Sequence, residues 1–343
     1  MKLDQSSFWF GKNVFITGIN GFIGGNLAKG LLERGAAVFG LMRNASRNSL
    51  LFSEGLDARV SLIEGNITDK DLLSRVISEE RINVVFHLAA QVEVGVGLTN
   101  PYLTFETNTR GTYCLMEAIR LCPQSVQALV VASTDKSYGS YPSDQMPYKE
   151  SYPLIPRYPY DVSKACADLI ARAYASEVYQ LPIVVTRFSN IFGPGQLNFS
   201  ALIPDAVRAC LGYGAFVPRG SGQQIRDFIY VGDVVDLYLR IGERLAIDPA
   251  AYRGKIYNAG TNQPRSVRGV LEVVYQQTGR MAEYENVLKM MQGRETVGEI
   301  ECQYMDYESV NRDFAWAPHC SFERGVAATI EWFKGYFKNH YGT

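Results

Sequence analysis

Two short runs in this sequence carry side chains whose types and spacing could move protons. The first is Thr134-Asp135-Lys136, an acid and a base side by side after a hydroxyl. The second is Tyr160-Asp-Val-Ser-Lys164. Residues four apart lie one turn apart on a helix face, so Lys164 would stand over Tyr160. A phenol near its usual pKa of about 10 is a poor base at pH 7, and a neighbouring ammonium favours the phenolate. Each run also has a plainer reading. Asp135 and Lys136 could be a surface ion pair, and Tyr160 and Lys164 two exposed residues at a helix start.

The elements that would position these groups begin at Val14-Phe-Ile-Thr-Gly-Ile-Asn-Gly-Phe-Ile-Gly24. A buried strand (Val14, Phe15, Ile16) breaks at Thr17-Gly18, and apolar residues at helical spacing follow from Asn26 to Glu33. Strand, glycine turn and helix form the context of a dinucleotide fingerprint. The spacing is G-x-x-G-x-x-G: Gly18 for the tight turn, Gly21 for close approach to pyrophosphate, Gly24 for packing of helix on strand. Asn20, Phe22 and Ile23 complete the turn, with phosphates over the free amides of the helix start. An ordinary strand-to-helix turn is the competing reading. The second strand, Ala37–Met42, ends without the carboxylate that would hold the ribose hydroxyls of NAD. Arg43 follows, with Arg47 nearby, a lean toward a 2′-phosphate and so toward NADP+ over NAD+.

Val60–Ile63 reads as a third strand, then Asn66 and Ile67 in a turn that could flank adenine, and a helix over Asp71–Ile77. Val84–Ala90 is nearly all apolar, as in a parallel strand covered on both faces. His87 within it reads as a satisfied core histidine. Leu88, Ala89 and Ala90 would let backbone approach the cofactor, with Gln91 beyond them on the substrate side. A long amphipathic helix is expected over Pro101–Leu121, a strand over Ala128–Ser133, a loop over 138–159, a helix over Lys164–Tyr179 and a strand over Ile183–Arg187. From Gly195 the alternation becomes irregular, with helices near Leu202–Leu211, Val234–Leu245, Val267–Gln277 and Phe322–Phe337. The expected fold is α/β, a Rossmann-type doubly wound parallel sheet with a smaller α/β C-terminal lobe. Residues 1–190 would bind the dinucleotide, with return segments near 226–260, and 191–343 would form a nucleotide-sugar lobe.

Composition bounds the reading. At 343 residues, 47% hydrophobic and 20% charged, this is a globular chain with ample core. A net charge of -1 leaves no basic stripe for nucleic acid. The six cysteines are scattered, without a C-x-x-C pair, and read as reduced thiols of a cytoplasmic protein. No metal site, signal peptide or membrane span is expected.

With these residues in view, the chain resembles the extended short-chain dehydrogenase/reductase family from near Gly11 to about Lys338. The matching pieces stand in the family's order: Thr17–Gly24, His87-Leu-Ala-Ala90, Ser133-Thr134, Tyr160-x-x-x-Lys164, Arg187-Phe-Ser-Asn190 with Gly193-Pro194, and Arg226-Asp-Phe-Ile-Tyr-Val231. Thr134-Asp135-Lys136 looks like the nucleotide-sugar 4,6-dehydratase type. With Glu299-Ile300 and Gln303-Tyr304 it is most similar to CDP-glucose 4,6-dehydratase-like enzymes, whereas dTDP-glucose enzymes usually carry Glu at the position of Lys136.

The resemblance implies a bound, recycled NAD(P)+ and a nucleotide-diphosphate hexose. Tyr160, helped by Lys164 and Thr134, would take the 4-hydroxyl proton as hydride leaves C4. Lys136 would remove the C5 proton and Asp135 would protonate the departing 6-hydroxyl. Burial would raise Asp135 and lower Lys136, while their attraction pushes each the other way. The resemblance also suggests substrate contacts from Asn190 and Arg226, with Asn198, Leu202 and Gln224 toward the nucleotide. It implies a homodimer through a four-helix bundle of Pro101–Leu121 and Lys164–Tyr179. A C4-epimerase or decarboxylase, using Tyr160 without elimination, and a non-catalytic NAD(P)-binding sensor remain as alternatives.

Overall fold

The fold follows from which strands bury both faces. A computed structural model of the chain describes residues 6–44, 47–122, 126–294 and 300–342. Its strands are β1 (Asn13–Thr17), β2 (Ala37–Met42), β3 (Ser61–Glu64), β4 (Val84–His87), β5 (Ala128–Thr134), β6 (Ile183–Phe188), β7 (Asn190–Phe192), β8 (Ile225–Arg226), β9 (Phe228–Tyr230), β10 (Ile256–Ala259), β11 (Arg265–Ser266) and β12 (Cys302–Gln303). Seven of them form a parallel sheet in the order β10-β6-β5-β4-β1-β2-β3. The chain winds outward both ways from β1, so a crevice opens at the carboxyl ends of β1 and β4.

Successive strand residues face opposite sides. Val14, Ile16, Val84, Phe86 and Val130 pack with Leu27, Leu31, Val234, Leu237 and Tyr238 of the helices Phe22–Glu33 and Val231–Ile247. Phe15, Val85, Leu129 and Val131 face the other way, against Leu73, Val76, Leu115, Ile119 and Ala171 of the helices Lys70–Glu79, Gly111–Leu121 and Pro159–Ala175. Each fully buried aliphatic side chain contributes about 1.5–3 kcal/mol, which accounts for unbroken apolar runs in these strands.

A separate aromatic core lies in the C-terminal part. Ile203, Val207, Val270, Val274, Tyr284, Phe322, Val326, Phe333 and Phe337 join four helices there. Two small sheets accompany it, β11-β8-β12 and β7-β9.

Several boundaries differ from expectation. The first helix starts at Phe22, directly at the glycine turn, not at Asn26. The expected 164–179 helix runs Pro159–Ala175: Pro159 opens it with a preset φ, placing Tyr160 and Lys164 in its first turns. β4 ends at His87, where the Leu88 amide is shared between the carbonyl and the hydroxyl of Thr17 and the Ala89 amide turns to that hydroxyl. The 101–121 helix contains a π segment, Glu106–Arg110, where the Asn108 side chain bonds to another part of the chain. Helices Val94–Thr99, Met281–Met291 and Glu308–Phe314 were not anticipated. Glu299 lies outside the described residues. Among the described residues no helix is long and apolar enough to cross a membrane, and no cluster of metal-ligating side chains occurs.

Candidate active site

A cleft of about 550 Å³ runs along the carboxyl ends of β1, β4 and β5. At one end is the glycine turn. Gly18 adopts φ +76°, and a side chain there would drive into the backbone of Ala89. A Cβ on Gly24 would strike the Gly18 carbonyl and Ile19, so this glycine sets how closely helix meets strand. The helix Phe22–Glu33 has neither a capping side chain nor an acidic residue in its first turn, leaving its amides for an anion. Gly18, Gly21, Phe22, Ile23 and Gly24 all line the cleft, as do Arg43, Asn66, Ile67, Leu88, Ala89 and Ala90. Asn20 does not; its amide oxygen accepts from Ser49 and braces the turn. The cradle therefore fits a dinucleotide diphosphate.

The reactive groups meet at the other end. Thr134 closes β5, and Asp135–Tyr138 makes a short 3₁₀ turn that the Thr134 hydroxyl caps at the Lys136 amide (3.3 Å). The same hydroxyl donates its proton to Asp135 Oδ1 (3.0 Å). Asp135 is 3% exposed, and its Oδ2 has no hydrogen-bond partner. Burial raises the Asp135 carboxyl, opposed by Lys136, Thr134 and Arg226. A buried oxygen without a donor favours the protonated acid. The pair is thus not a surface ion pair.

Tyr160 departs from expectation. Burial and the carboxylates of Asp135 and Asp161 push its phenol above the usual value, with the Thr134 side chain pulling it back. Lys164 does not reverse this, because its ammonium donates to the Ala132 carbonyl. Burial lowers Lys164 to about 8, with Asp168 acting the other way. In the chain by itself, desolvation of the phenolate outweighs the lysine.

A second cavity of about 310 Å³ adjoins the cleft, lined by Leu202, Gln224, Arg226, Phe216 and Met291 among others. Lys136, Asn190, Ile191 and Gln196 border both cavities, and Gln91 and Asn198 line the first. Arg226 is no surface arginine: it is 6% exposed, on the middle strand of the small sheet, with Nη1 donating to the carbonyl of Ile225 (2.8 Å). Apart from Asn20, every sequence-derived site residue falls on these two walls.

Other residues escaped the sequence reading. Asp161 is 6% exposed, and burial raises it to about 6, with Lys136 opposing and Asp135 adding. Only its place beside Tyr160 could have signalled it. Asn108 holds Gln91 by both backbone groups (2.7 and 3.0 Å) and donates to Ser163 Oγ (2.9 Å). Nothing local in a helical stretch announces that. Arg187, a motif residue without an assigned role, makes a buried two-point pair with Asp168 (2.8 and 3.0 Å) and donates to the Tyr138 hydroxyl (2.7 Å).

Comparison with known proteins agrees with this geometry. The chain is 29% identical over 343 residues to human dTDP-D-glucose 4,6-dehydratase, covering 96% of this chain and 92% of that one. It is similar to the solved dTDP-glucose 4,6-dehydratase of Bacillus anthracis in complex with NAD (TM-score 0.80, 27% identity, 95% and 98% of the two chains). It is also similar to the UDP-glucose 4-epimerase of Thermotoga maritima with UDP-glucose (TM-score 0.80, 26% identity, 94% and 98%). The family model described as GDP-mannose 4,6 dehydratase matches residues 15–329, and the chain belongs to that family.

Proposed function

We infer that this chain is an NAD(P)-dependent nucleotide-sugar 4,6-dehydratase, converting a nucleotide-diphosphate hexose to its 4-keto-6-deoxy form with loss of water. One observation carries the reading: a buried carboxyl, Asp135, with an unpartnered oxygen stands beside Lys136, which borders both cavities. An epimerase needs no such acid and base. The bound nicotinamide supplies a hydride acceptor for C4 and the same hydride for C6. Tyr160 takes the proton of the 4-hydroxyl. The 4-keto group acidifies C5–H, Lys136 removes that proton, and Asp135 gives its own to the leaving 6-hydroxyl, which departs as water; as C6 takes its hydride, Lys136 returns the proton to C5, and the proton taken up by Tyr160 makes good the one Asp135 lost. Asn190 and Arg226 hold the diphosphate, with Asn198, Leu202 and Gln224 toward the base.

Incubation with CDP-, GDP-, UDP- and dTDP-hexoses, followed by mass, tests this. Loss of one water supports it; unchanged mass with altered sugar configuration indicates the epimerase. The panel also decides the nucleotide, since the Asp135-Lys136 pair acts on the hexose and not on the base. Arg43 and the missing carboxylate at Met42 support NADP+, while the Bacillus anthracis relative was solved with NAD; titration of stripped protein with both dinucleotides separates them. The chain divides near residue 190, supported by the separate aromatic core, with β10 returning to the main sheet. A homodimer through the 101–121 and 159–175 helices is supported by the exposed Tyr102 (74%) and Leu169 (52%). Six free cysteines support a cytoplasmic setting.

A further inference from the structure

His87 lies in the middle of the sheet, 4% exposed, with both ring nitrogens engaged. Nδ1 is 2.9 Å from the Thr17 hydroxyl and Nε2 is 3.0 Å from the Thr112 hydroxyl. The direction of each bond can be deduced. Thr17 Oγ1 accepts the amides of Leu88 (3.1 Å) and Ala89 (3.2 Å), so its single proton is left for Nδ1. Thr112 donates to the carbonyl of Asn108 (2.6 Å) and so must accept from Nε2. Both ends demand the same neutral tautomer, with hydrogen on Nε2. Burial and the nearby Lys164 hold the ring uncharged, down to about 3.

The chain of bonds joins three parts of the cleft. It starts at Leu88 and Ala89, which line the wall, and Gly18 packs against that same backbone. It ends at the π segment, where Asn108 clamps Gln91 and reaches Ser163, whose hydroxyl donates to the Tyr160 carbonyl (2.7 Å). We propose that His87 is a positioning residue of this cleft: its one tautomer ties the glycine turn to the 88–91 wall and to the helix of Tyr160, holding the wall where a dinucleotide binds. It does not shuttle protons in the reaction. The inference rests on the reading of the cleft as a dinucleotide site.

The test compares wild type, His87→Leu and His87→Gln, stripped of nucleotide, by calorimetric titration with NAD+ and NADP+. His87→Leu should bind at least about tenfold more weakly, while its single-turnover rate at saturating dinucleotide stays near wild type. His87→Gln, whose amide can accept from Thr17 and donate to Thr112, should recover most of the affinity. Nitrogen-15 imidazole spectra of wild type should show a hydrogen on Nε2 and no titration between about pH 5 and 9. Unchanged affinity in a folded His87→Leu protein, or a titrating or Nδ1-protonated ring, would overturn the proposal. Should His87→Leu fail to fold, Thr112→Val removes the acceptor for Nε2 together with the bond to the Asn108 carbonyl while keeping the ring; full affinity there counts against it equally. Absence of binding in wild type would instead remove the cofactor reading, and this inference with it.

Discussion

Lys164 donates from its ammonium to the carbonyl of Ala132, on strand β5 two residues before Thr134, and not to Tyr160 one helical turn away. The lysine thereby anchors the helix of Tyr160 to the strand that ends at Thr134 and leads into Asp135 and Lys136.

Tyr160→Phe should remove oxidation at C4, lowering turnover by about a hundredfold to ten-thousandfold, the range for loss of a positioned acid or base. Absorbance of the reduced nicotinamide in a single turnover reads this. Lys164→Met should depress the same step and also weaken dinucleotide binding; equal rates in Lys164→Met and wild type would contradict the anchoring role.

Asp135→Asn and Lys136→Ala act later. Each should cut water loss by a similar factor while oxidation at C4 persists, so reduced nicotinamide accumulates on the protein. Full turnover in both variants would remove the dehydratase assignment.

Asp161 is raised to about 6 in the folded chain, above its ordinary value of about 4. The folded state therefore binds this proton more tightly, and the associated stability is present at low pH and lost as pH rises through about 6. Asp161→Asn should gain on wild type in denaturant unfolding between pH 4 and pH 7. A difference independent of pH would mean that Asp161 is already ionised at pH 4.

The Asp168–Arg187 pair is buried on both sides (0% and 1% exposed). Replacing one partner leaves a bare charge in the interior, at a cost of about 3–5 kcal/mol. Arg187→Met and Asp168→Asn should each lower the urea midpoint strongly. The double variant should fall by less than the sum of the two.

Self-association can be tested on the exposed helix faces. Tyr102→Asp with Leu169→Asp should convert a dimer in sedimentation equilibrium to monomer, without changing the unfolding midpoint measured at low protein concentration. A wild type that sediments as a monomer would end the bundle proposal.

Much of this protein could be read locally. Paired apolar runs named the parallel strands, because a strand covered on both faces cannot alternate with polar residues. The glycine turn, Thr134-Asp135-Lys136 and Tyr160-x-x-x-Lys164 named the site, because a tight turn and a helical repeat are properties of neighbouring residues. Tertiary structure alone decided the rest. Whether Asp135 holds a proton depends on its burial set against the charge of Arg226, about 90 residues on in the chain; no spacing encodes desolvation. The rise in the Tyr160 phenol has the same origin. Asn108 and His87 act on partners 17 to 70 residues away, and the strand order that brings β1, β4 and the 101–121 helix together is what makes those bonds possible.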